Sequence, residues 1–141
     1  MECVLRVHGV DFDVNRFLEE SPWRPNPVYH RGEERPFRGR GTELEKHSGF
    51  VVGVAGADDT WNDDFAAQTA AVLSFLRENH LECARLASFP GIDGRTLDFA
   101  VPLLDGEPMR AHHLPVALVQ AAAEVGMALE VTVYAVAAEA E

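Results

Sequence analysis

"GFVVGVAGADDTWNDDFAAQTAAVLSFLRENH", residues 49–80, changes its period partway along. Residues 49–56 are β-branched and apolar between glycines, the pattern of a short buried strand. After a turn at Asp58 and Asp59, Trp61, Phe65, Val72, Phe75 and Leu76 recur at spacings near three, four and seven, which gathers them on one face of a helix. Thr60 with Asp63 three residues on resembles a capping box, with Asp where Glu or Gln is usual, and acids in the first turn suit the positive helix end. The stretch predicts the longest helix of the chain, over residues 60–79, laid on a sheet by that apolar face.

Upstream, "CVLRVHGV" (3–10) alternates loosely through Val4, Leu5, Arg6, Val7 and His8, as a strand with one better-buried face does. "DFDVNRFLEES" (11–21) offers Asp11 or Asp13 as the cap of a short helix carrying Val14, Phe17 and Leu18. Pro22, Pro25 and Pro27 end it. Residues 22–48 show no sustained period, and Gly32, Pro36, Gly39 and Gly41 interrupt them, so they read as one long Arg/Pro/Gly-rich loop.

Downstream, "ECARLASF" (82–89) reads as a strand, because Asn79-His80 resembles a helix stop and "FPGIDG" a turn. "RTLDFAVPLL" (95–104) is a clearer strand with Leu97, Phe99 and Val101 on one side. "LPVALVQAAAEVG" (114–126) has Pro115 at its first helical position and Gly126 beyond its end, with Leu118, Val119, Ala122 and Val125 as the apolar face. "MALEVTVYAV" (127–136) closes as a strand through Leu129, Val131 and Val133. The order predicts a single α+β domain over 1–141, with about three helices packed on one face of a mainly antiparallel mixed sheet.

The net charge of −11 is unevenly placed: residues 1–46 carry eight Arg/Lys against nine Asp/Glu, and 47–141 carry four against fourteen. Such an acidic surface repels nucleic acid phosphate and attracts cationic partners. No window holds the roughly 18 uninterrupted apolar residues of a membrane span, and Glu2 and Arg6 stand where a signal peptide needs an apolar run. The expected location is cytoplasmic, with Cys3 and Cys83 as thiols.

Arg24, Arg31, Arg35, Arg38 and Arg40, with Trp23, Tyr29 and Phe37 among them, are the mixture that grips phosphate or stacks on bases. Interleaved Glu33, Glu34, Glu43 and Glu45 cancel most of that field, so the stretch reads instead as a mixed-charge loop that recognises protein or docks on the domain's own acidic surface. No nucleic acid and no membrane partner is expected. The six histidines, His8, His30, His47, His80, His112 and His113, form no metal motif, no nucleophile elbow or phosphate loop is present, and no cofactor is implied.

Two segments carry a family likeness. "LRVHGVDFDVNRFLEES" (5–21) with "PNPVYHRGE" (25–33), and "LDFAVPLL" (97–104) followed by "LPVALVQAAAEVGMALEVTVYA" (114–135), are similar to the two ends of the bacterial domain of unknown function 4279 family. Two departures stand out: "LEESPW" (18–23) replaces the family's leucine-glycine step, and Leu114 stands where a capping Ser is common. The resemblance implies a fold and no catalytic residues, and some members of that family lie beside toxin genes as immunity proteins do. The pattern it shares implies that His8, Asp11 and His30 come together in one place.

The expectation is a non-catalytic protein-binding module, an immunity protein that meets a cationic toxin through its acidic surface. The alternative is a small enzyme or ligand-binding domain with a pocket between the long loop and the sheet, using His8, Asp11, His30 and nearby arginines on an anionic substrate. Candidate binding residues for either are His8, Asp11, Trp23, Tyr29, His30, Arg31, Arg35, Arg38 and Arg40; no residue is assigned a catalytic or metal-ligating role. The oligomeric state is left open.

Overall fold

The computed structural model describes residues 3–36, 39, 41–55, 64–103, 105–106 and 109–135. Its elements run β1 (Cys3–Gly9), α1 (Val14–Glu19), β2 (Val28–Tyr29), β3 (Glu34–Pro36), β4 (Thr42–Leu44), β5 (Ser48–Ala55), α2 (Phe65–Glu78), α3 (His80–Ser88), β6 (Gly94–Leu103), α4 (Val116–Glu124) and β7 (Ala128–Ala135).

Period two divides β1 between two environments. Cys3, Leu5 and Val7 are fully buried, while Val4, Arg6 and His8 stand on the opposite face. β1 is the middle strand of a sheet ordered β2-β5-β1-β6-β7. Every neighbouring pair is antiparallel except β6 and β7, which run parallel and are joined through α4. Leu5, Val7, Phe50, Val52, Leu97, Phe99 and Val101 share one core with Val14 and Phe17 of α1, Val72 and Leu76 of α2, Cys83 and Leu86 of α3, and Leu118 and Ala122 of α4. All four helices therefore cover one face of the sheet, and the fold is α+β.

α2 is the longest helix, at 14 residues, and buries Phe65, Val72 and Leu76. Asp64 caps it, accepting from the Ala67 N–H at 3.2 Å; Thr60, Trp61 and Asp63 lie outside the described residues. The predicted strand at 82–89 is instead α3. Asn79 does close α2, with its backbone N–H and side-chain amide both donating to the Phe75 carbonyl, but the chain then re-enters a helix at His80. Cys83 and Leu86, three residues apart, turn into the core together, and Glu82 pairs with Arg85 at 2.7 Å one turn on. Among the described residues four helices result where about three were expected. In α4, Pro115 is the N-cap rather than the first helical residue, and Val119 is 43% exposed because Leu118, Ala122 and Val125 already complete the buried stripe.

The segment 22–48 is not one loop. β2 adds an edge strand to the sheet, and β3 pairs with β4 as a separate two-stranded sheet, with Arg35 opposite Glu43. None of the residues of β3 and β4 is buried, so no alternation of apolar residues marked them. At the other end of the sheet, β1 pairs with β6 only as far as Val4 opposite Asp98. Past that point the Gln68 side chain accepts from the Ala100 N–H at 3.2 Å and donates to the Ala100 carbonyl at 3.1 Å, standing in for a strand.

Candidate functional site

The sheet face without helices carries one row of residues across four strands: Tyr29 of β2, Gly49 of β5, His8 of β1 and Gly94 of β6. Each glycine makes room for the ring beside it. A Cβ on Gly49 would lie 2.6 Å from the Tyr29 hydroxyl, and the three atoms nearest a Cβ on Gly94 all belong to the His8 imidazole. Both rings thus lie down on the sheet instead of standing away from it.

Above this floor is a cleft of about 440 Å³. β1 contributes Arg6 and His8, the β2 region Pro27 and Tyr29, and β5 Val51. The opposite wall comes from Arg35 of the β3–β4 hairpin and from Glu45 and His47, which follow β4. The cleft lies between the 22–48 segment and the sheet, with a hairpin where an irregular loop was expected.

Most of its charged groups are held from behind. Arg6 donates through Nε and Nη2 to Asp98 at 3.2 and 3.1 Å, and Thr132 donates to the other Asp98 oxygen at 2.6 Å. Asp98 is 5% exposed, so this carboxylate is a buried anchor for a half-exposed guanidinium. Arg35 lies 3.3 Å from Glu43 and 3.4 Å from Glu45. Burial raises the Tyr29 hydroxyl above its ordinary 10.0, the Glu45 carboxylate adds to the rise, and Arg6 and Arg35 oppose it. The phenol is therefore a protonated donor near neutrality.

His8 is the exception. Its Nδ1 is buried and has no hydrogen-bond partner among the described residues, and the ring meets His47 edge to face at 5.2 Å.

Of the predicted binding residues, His8, Tyr29 and Arg35 reach the cleft. His8, Asp11 and His30 do not converge. Asp11 pairs with Arg31 at 3.8 Å; His30 is held by the Glu33 carboxylate through Nδ1 and faces the Asn15 side-chain oxygen at 2.9 Å through Nε2. Trp23 is a core residue rather than a stacking platform. Its ring is 8% exposed and stacks on Phe75, and its N–H donates to Asn79 at 3.2 Å. Arg38 and Arg40 lie outside the described residues.

Arg6, Glu45 and His47 went unremarked as site residues. For Arg6 the signal was present, since it shares the polar face of β1 with His8. Among the described residues no three His, Cys, Asp or Glu side chains are placed to hold a metal ion. Neither the family models, the curated proteins nor the solved structures compared with this chain match it.

Proposed function

We propose that the chain is a small binding domain and that its ligand occupies the cleft between the β3–β4 hairpin and the open sheet face. The observation that carries this reading is the cleft itself, with Arg6, His8, Tyr29 and Arg35 on its lining. Nδ1 of His8, a residue of the lining, is buried without a partner among the described residues, at a cost of about 1–3 kcal/mol. The surroundings agree, because a concave site with a few convergent polar groups is the common form of a small-molecule site. The test is native mass spectrometry of the purified protein, combined with fragment screening followed on the His8 and His47 imidazole resonances. A bound molecule, or fragments that shift both rings saturably, supports the reading; the absence of both overturns it.

A second reading is favoured by charge. With −10 of the −11 in residues 47–141, a basic protein partner would be drawn to the domain, as the resemblance to the domain of unknown function 4279 family implies for a cytoplasmic immunity protein. Among the described carboxylates, Asp64, Glu82, Asp93 and Asp98 bond within the domain, whereas Glu78, Asp105, Glu124 and Glu130 are exposed. No helix among the described residues is long and apolar enough to cross a membrane. Association with a basic protein encoded beside this gene should slow steeply with added salt; a salt-independent rate would remove the electrostatic reading. The arginine segment is read as docking on its own carboxylates, through Arg31 with Asp11 and Arg35 with Glu43 and Glu45. Random oligonucleotides should accordingly not bind at physiological salt.

A further inference from the structure

We infer that the cleft takes a small organic oxyanion, a carboxylate or phosphate monoester carrying a compact apolar body. This rests on the cleft being the binding site.

The lining is rich in donors. Arg6 uses Nε and Nη2 on Asp98, and Arg35 uses Nε and Nη2 on its two glutamates, so each guanidinium keeps Nη1 without a hydrogen bond among the described residues. The carboxylates behind them fix the orientation of each plane before a ligand arrives, which lowers the entropy cost of binding. Burial and Glu45 raise the Tyr29 hydroxyl, and both arginines lie near enough to oppose that rise.

Acceptors are scarce by comparison. Among the described residues Glu45 is the one carboxylate on the lining, and Arg35 already engages it at 3.4 Å. A cationic ligand would have to displace that arginine, and a neutral ligand would leave the guanidinium edges facing water. An oxyanion would be drawn to Arg6, Arg35 and Tyr29 without breaking an existing pair. Pro27 and Val51 give the apolar part of the wall, against which the body of the ligand would lie. At about 440 Å³ the cleft has the volume of an ordinary small-molecule site, larger than a bare inorganic ion requires.

The experiment is calorimetric titration of the intact protein with benzoate, phenyl phosphate, neutral benzamide and cationic benzamidine, with the His8 and His47 resonances followed in parallel. Benzoate or phenyl phosphate should bind saturably, at least about tenfold tighter than the other two, and the stronger of the pair identifies the head group. Arg35→Gln and Tyr29→Phe, each checked for an unchanged circular dichroism spectrum and thermal midpoint, should weaken the preferred anion by about tenfold or more. Benzamide or benzamidine binding the cleft as tightly as the anions would overturn the oxyanion while leaving the cleft as a site. Undiminished affinity in Arg35→Gln would also overturn it. If none of the four probes moves the cleft histidines, the site reading falls with it.

Discussion

The Arg85 guanidinium lies 4.0 Å from the centre of the Phe17 ring, and its Nη2 donates to the carbonyl oxygen of the same residue at 2.7 Å. Glu82 holds the group from the other side, at 2.7 and 3.0 Å, so one side chain fastens α3 to α1 through charge, ring face and backbone together. Replacing Arg85 by Ala should lower the unfolding free energy by about 2 kcal/mol, as the sum of a charged hydrogen bond and a cation–π contact suggests. Arg85→Lys should recover only part, because an ammonium cannot reach all three partners. Urea unfolding measures both; an unchanged midpoint in Arg85→Ala would show that the contact is idle.

Phe65 opens α2 with its ring 5.5 Å from Phe99 and 4.8 Å from His112. Phe65→Asp places a carboxylate in that packed layer. The cost of several kcal/mol is comparable with the whole stability of a domain this size, and cooperative melting should disappear. A variant that melts at the wild-type temperature would show that Phe65 is not part of the core.

Gly94→Ala should destabilise by about 1–3 kcal/mol, since its new methyl meets the His8 imidazole. Adding His8→Ala in the same chain should restore most of that loss, because the atoms nearest the methyl all belong to His8. A double-mutant cycle by thermal unfolding reads the coupling; additive effects would mean that the ring does not rest on this glycine.

Burial pushes the Cys83 thiol from its ordinary 9.0 up to about 11, with the Glu82 carboxylate adding to the rise. The fold thus keeps a proton that the unfolded chain releases earlier. This contribution is fully present below pH 9 and is lost as pH rises through about 11. Tyr29, also raised, acts in the same direction. Denaturant midpoints should fall across that window, and Cys83→Ala should flatten part of the slope; a midpoint rising with pH would contradict the sign.

Elements whose apolar residues repeat were legible in the sequence. Leu97, Phe99 and Val101 marked β6, and Phe65, Val72 and Leu76 marked α2, because burial on one face leaves its period in the residue order. α3 was hidden by Asn79, which closes one helix and precedes the next without a gap, so a true stop was mistaken for a change of element. The β3–β4 hairpin buries nothing and is held by backbone bonds and an Arg–Glu pair, which composition cannot distinguish from a loop. For the site, His8, Tyr29 and Arg35 stood out as residue types, but Gly49 was read as a boundary of a strand and Gly94 as part of a turn. Their use under two rings depends on register across four strands, which no local pattern encodes.

β1 carries two instructions in alternate letters. Leu5 and Val7 answer to the helices, while Arg6 and His8 answer to whatever enters from the other side, and one layer of backbone keeps the two apart. Selection can therefore rewrite the second message a residue at a time while the first is left intact. Relatives with the same interior should be able to differ in what they recognise, without any lineage passing through a chain that does not fold.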